Sequence, residues 1–123
     1  MLTLPGLGIR VSLFVDYDYP ALEIAREIGV DRVEFYTEPY AEHYGTAHGD
    51  AIFQGFLEAA AKAQELGLGV NAGHDLSLQN LSRFLEIPGI LEVSIGHALI
   101  VECIELGMEK VIGRYLGICN SAG

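Results

Sequence analysis

Glu65-Leu66-Gly67-Leu68-Gly69-Val70-Asn71-Ala72-Gly73-His74 is the stretch that decides the fold. It leaves an amphipathic helical pattern, breaks at Gly67, runs through a short apolar segment and stops on Gly-His. A glycine just past the last periodic apolar residue marks a helix end, because glycine takes the left-handed conformation without a steric penalty. The apolar run that follows is short and bounded by turn signals, so it reads as a strand. The same step recurs upstream: Glu27-Ile28-Gly29-Val30 precedes Arg32-Val33-Glu34-Phe35-Tyr36-Thr37. Downstream, Pro88-Gly89 makes the step into Leu91-Glu92-Val93-Ser94-Ile95, and Val11-Ser12-Leu13-Phe14-Val15 opens the series. Four such runs predict strands buried on both faces, as in a parallel sheet covered by helices.

Helical patterns lie between and after them. Pro20 to Ile28 repeats Leu22, Ala25 and Ile28, and Asp50 to Leu66 carries a long apolar stripe with Asp50 as its N-cap. Ser77 to Glu86 is a shorter helix capped by Ser77, and Ala98–Leu106 and Met108–Ile118 close the chain on either side of Gly107. The order βαβαβαβα predicts an α/β protein with a parallel sheet and right-handed crossovers. Glu38 to Gly49 is the long polar connection; with His43, Tyr44 and His48 it reads as an active-site loop or lid.

The 123 residues suffice for one domain, 1–123, with no internal boundary. Half of them are apolar, which excludes a disordered chain, and two cysteines exclude a disulfide scaffold or a Cys/His zinc module. A formal charge of −10 argues against nucleic acid and against anionic membranes as partners. No apolar run reaches the roughly 18 residues of a membrane helix. The start, Met1 to Arg10, lacks an early positive charge and contains Pro5, so it reads poorly as a signal peptide. A cytoplasmic protein with reduced Cys103 and Cys119 is expected, Cys103 packing on a helix stripe with Ile100. Dinucleotide-binding, P-loop and serine-hydrolase motifs are absent.

Ligands of parallel α/β sheets bind at the carboxyl ends of the strands. Those ends carry Asp16, Tyr17 and Asp18; Thr37, Glu38 and Tyr40; Gly73, His74 and Asp75; and Gly96 and His97. Gly-His therefore occurs twice. His74 suits acid/base work, since imidazole titrates near pH 6.5; the plainer alternative is a histidine that merely ends a strand. Glu34 sits inside an apolar strand, where a carboxylate needs a partner. It either stabilises a charged intermediate or reaches water at a strand edge. Gly96-His97 leads into a helix whose first N–H groups suit an anion, or is an ordinary turn. The Asp16/Asp18 pair is either a metal site or a common strand-to-helix loop.

These stretches resemble the C-terminal half of the pyridoxine 5′-phosphate synthase family. The resemblance is carried by Val11–Asp16, Val33–Ala41, Leu68–His74 and Ile95–Ile100, and spans roughly residues 10 to 119. It implies a (β/α)8 barrel of TIM type with extra helices, assembled as a homo-oligomer. It further implies condensation of 1-deoxy-D-xylulose 5-phosphate with 3-amino-2-oxopropyl phosphate, releasing inorganic phosphate and water, with no metal and no redox cofactor. Carried over by motif, His74 is the proton donor, Glu34 stabilises the transition state, and Asp75, Gly96 and His97 bind the aminoketone phosphate.

The chain departs from the family in places. Asp75 stands where glycine is usual, and Tyr36-Thr37-Glu38-Pro39-Tyr40-Ala41 stands where many members read His-Thr-Gly-x-Tyr-Ala. A whole barrel takes about 250 residues, whereas four βα units are present, matching strands five to eight. The chain thus reads as a half barrel: a truncated product, a fragment, or one half of a split enzyme. Its catalytic partners from the first half are missing, so the isolated chain is expected to be inactive or nearly so. It is expected to associate with a complementing N-terminal half or with itself, or to be marginally folded alone. Two rival readings are a non-catalytic phosphate-binding half barrel and a metal-dependent sugar isomerase-like or endonuclease-like barrel with Glu34, His74 and Asp75 as ligands.

Overall fold

The computed structural model describes residues 9–122. The stretch read above as unlike a signal peptide falls almost entirely outside them. Strands β1 (Ser12–Val15), β2 (Arg32–Tyr36), β3 (Gly69–Gly73) and β4 (Ile90–Ser94) alternate with helices α1 (Leu22–Glu27), α2 (Glu38–Glu42), α3 (Ala47–Glu65) and α4 (Leu81–Phe84), followed by α5 (His97–Leu106) and α6 (Met108–Ala122). The strands form one sheet in the order β1-β2-β3-β4, and every pair is parallel. The expected α/β class, strand direction and sequential order are therefore those of the protein. Gly29, Gly67 and Gly89 hold φ of +84°, +81° and +83° at the three helix-to-strand steps.

The two faces of the sheet differ. Alternation sends Val15, Val33, Phe35, Val70 and Ala72 to the helix side, where all are buried. There they meet α3, whose Phe56 is fully buried against Phe35 and Phe84 at ring separations of 6.1 and 5.5 Å. Tyr40 fills the space between α2 and α4, 5.1 Å from Phe84, and its hydroxyl donates to the Asn80 carbonyl at 2.5 Å. The opposite face is open: Phe14 is 57% and Tyr36 39% exposed. The expectation of strands buried on both faces holds only for β3; on β1, β2 and β4 at least every second residue is half-buried or exposed.

A network of charges crosses the open face near its lower end. Arg32 Nη1 donates to Asn71 Oδ1 at 3.2 Å, Asn71 Nδ2 donates to Glu92 Oε2 at 3.3 Å, and Glu92 pairs with Arg32 at 3.3 Å and with Arg10 at 3.7 Å. A register shift between Val70 and Asn71 places Asn71 opposite Glu92 rather than Leu91.

Several boundaries need correction. The polar connection Glu38 to Gly49 is largely helical rather than a loop: it forms α2 and the first turn of α3, and its Glu38 reaches His74 at the rim. Thr46, not Asp50, caps α3, its Oγ1 accepting from the Gly49 N–H at 2.9 Å. Asn80, not Ser77, precedes α4, which is shorter than its apolar pattern. Cys103 packs against the core as expected, but Ile100 is 61% exposed. Among the described residues no helix is long and apolar enough to cross a membrane.

Candidate active site

All strands point the same way, so their carboxyl ends share one rim. On that rim lies a cavity of about 410 Å³ lined by Glu34, Tyr36, His74, Asp75, Gly96 and His97, with Phe14, Gly73, Ser94 and Ile95 completing the wall. All five residues singled out from the sequence, Glu34, His74, Asp75, Gly96 and His97, meet there. Larger space exists between α4 and α6, around Ser82, Glu86 and Arg114, but it holds none of them. Asp16 and Asp18 do not line the rim cavity. Tyr17, between them, turns to the helix side and stacks on Phe56 at 4.4 Å. His43 and His48 contact each other at 4.6 Å, away from the cavity.

Glu34 projects from the middle of β2 onto the open face. Its register partner on β3 is Asn71, but its carboxylate reaches toward Gly73: a Cβ built there would come within 2.8 Å of Glu34 Oε2 and 3.1 Å of the Ser94 Cβ. Glycine thus makes room for the carboxylate. Partial burial, and then the like charge of Glu92, hold the Glu34 carboxyl above the usual carboxylate range. A carboxylate so placed gains from any cation that forms beside it.

His74 and Asp75 follow β3 with φ of +96° and +61°, the only non-glycine residues with positive φ among those described. This turn lays the His74 ring edge-on to Tyr36 at 5.9 Å and brings His74 Nε2 to 3.9 Å from Glu38 Oε2. Phe14 stacks on the same Tyr36 at 5.4 Å. Gly96 precedes α5, and nothing lies within 4 Å of a Cβ built on it, so a ligand has free access to the backbone there. The first N–H groups of α5 have no partner within their own helix and suit an anion.

Glu38, His74 and Asp75 offer ligand atoms within 4.8 Å of one another, all exposed. The metal alternative named Glu34 rather than Glu38, and Glu34 is not part of this group. Its lining neighbours Phe14 and Tyr36 had no assigned role in the sequence. Tyr36 shares the Glu34 face by alternation, while Phe14 needed the β1–β2 register, which sets it opposite Glu34.

Comparison with known proteins gives a consistent result. Residues 1–121 match the family described as "Pyridoxal phosphate biosynthesis protein PdxJ". A protein of Albidiferax ferrireducens named pyridoxine 5'-phosphate synthase is 54% identical over 110 residues, covering 89% of this chain and 44% of that protein. Proteins of the same name from Xylella fastidiosa (strain 9a5c) and Parabacteroides distasonis are 52% and 49% identical, covering 93% and 97% of this chain and 44% and 50% of theirs. The chain spans about half the length of the curated relatives it matches. On this match, which takes in nearly every residue, the chain belongs to the pyridoxal phosphate biosynthesis protein PdxJ family.

Proposed function

We propose that this chain is the C-terminal half of a pyridoxine 5′-phosphate synthase barrel, carrying the aminoketone-phosphate side of its active site. The observation that carries this reading is the convergence of Glu34, His74, Asp75, Gly96 and His97 on one rim cavity. The phosphate of 3-amino-2-oxopropyl phosphate docks on the His97 imidazole, on the free N–H groups at Gly96 and His97 where α5 begins, and on the Asp75 backbone. His74, on the rim beside Gly73, gives a proton to the departing oxygen, the general-acid role that an imidazole side chain serves. Glu34, poorly solvated and next to Glu92, stabilises the positive charge that develops when amine and carbonyl condense.

Completion of the barrel belongs to the same reading. The sheet has two outer strands, β1 and β4, and an open face with exposed Phe14 and Tyr36. Open strands and apolar faces associate. A complementing half, or a second copy of this chain, covers them, and size-exclusion chromatography with light scattering gives the assembly; a dilution-resistant monomer counts against it.

Titration with 3-amino-2-oxopropyl phosphate tests the site. Binding that weakens at least tenfold in His97→Ala supports the phosphate pocket, and unchanged affinity removes it. With both substrates the isolated chain turns over slowly or not at all. Vigorous turnover would show that the missing half is dispensable. Binding without turnover even after a complementing half is added would favour a phosphate-binding module.

A further inference from the structure

His74 and Asp75 adopt a backbone conformation that side-chain-bearing residues avoid, so something must hold them there. The carbonyls of Gly73, His74 and Asp75 are tied down one after another. The Thr37 N–H donates to the Gly73 carbonyl at 2.9 Å, Thr37 Oγ1 donates to the His74 carbonyl at 2.5 Å, and Asn80 Nδ2 donates to the Asp75 carbonyl at 3.2 Å. Asn80 Oδ1 also accepts from the Ser77 N–H at 2.8 Å, which closes the loop.

The two side chains are well placed to impose a conformation. Thr37 is 0% and Asn80 5% exposed, so neither can exchange its bond for one to water. Both occupy helix N-cap positions, Thr37 at α2 and Asn80 at α4, where such residues ordinarily bond their own helix. Neither makes a side-chain cap bond. Their polar atoms are turned to the His74 loop instead. Asn80 is held in turn by the buried Tyr40, whose hydroxyl donates to its carbonyl.

We infer that Thr37 and Asn80 are positioning residues that lock the His74–Asp75 backbone in the left-handed region and so stand the His74 ring over the cavity against Tyr36. They touch no substrate; they act through His74. The catalytic meaning rests on the reading of His74 as the acid, but the locking itself does not.

The test is nuclear magnetic resonance of the intact chain, comparing Thr37→Val with Thr37→Ser. Valine keeps the shape and deletes the hydroxyl; serine keeps it. The expected result is that Thr37→Val retains the Val70–Ala72 amide pattern of the sheet but loses the one-bond Cα–Hα couplings that report positive φ at His74 and Asp75. The contact between the His74 and Tyr36 rings disappears with them, and Thr37→Ser restores both. A Thr37→Val chain that keeps the couplings and the ring contact overturns the inference. If that variant does not fold, Asn80→Ala decides, since it removes the Asp75 bond and leaves Thr37 in place: loss of the ring contact supports locking, and its persistence refutes it. None of these readouts uses turnover or phosphate binding, so a failed assignment of His74 as the acid would leave them unchanged.

Discussion

The rings of Tyr17 and Phe56 stack at 4.4 Å, joining the loop after β1 to the middle of α3. Gly55, one residue earlier on the helix, makes this approach possible: a Cβ there would meet the Tyr17 ring at 2.6 Å. Phe56 also touches Phe35, Tyr40 and Phe84, so one side chain links β1, β2, α2 and α4 to α3. Phe56→Ala should cost about 3–5 kcal/mol, the usual range for a buried aromatic. Urea denaturation measures it, and a midpoint within error of the parent would mean that the cluster is not the centre of the core.

Glu34 makes stability depend on pH in a definite direction. Burial, and secondarily Glu92, raise its pKa above the ordinary value of 4.5. Between that value and the raised one, the folded chain binds more protons than the unfolded chain. Stability therefore falls as pH rises through this window. Glu34→Gln has no charge to desolvate, so its urea midpoint should show less of this decline and exceed the parent's near neutrality. Parallel pH profiles for parent and variant would contradict the assignment.

Two glycines should respond oppositely to alanine. Gly113 lies inside α6 with nothing within 4 Å of an added Cβ, so Gly113→Ala should stabilise by about 0.5–1 kcal/mol through helix propensity. Gly67 also has room, its nearest atom being Arg26 Nε at 3.8 Å, but its φ is +81°. Gly67→Ala should destabilise by about 1–2 kcal/mol from the backbone alone. Thermal melts of the two variants should shift in opposite directions.

Much of this was legible along the chain because local rules govern it. Glycine at 29 and 67 marks helix ends and glycine at 89 the entry to β4, since the left-handed conformation is a property of one residue and its immediate neighbours. Strand-end position and two Gly-His pairs picked out His74, Asp75, Gly96 and His97, and a lone carboxylate inside an apolar strand picked out Glu34. The length and polarity of residues 38–49 suggest an irregular loop, but they also fit a short helix that buries one residue, Tyr40, against distant Phe84.

By itself, then, the order of residues determined the class of fold, the direction of the strands and the list of rim candidates, because period, punctuation and alternation are local. What tertiary structure alone decided was which partners those residues meet. The register shift that brings Glu92 to Asn71, the room over Gly73 for Glu34, and the bond from Thr37 to the His74 carbonyl all join segments far apart in sequence. Such contacts depend on the three-dimensional closeness of separate strands, which no local pattern encodes.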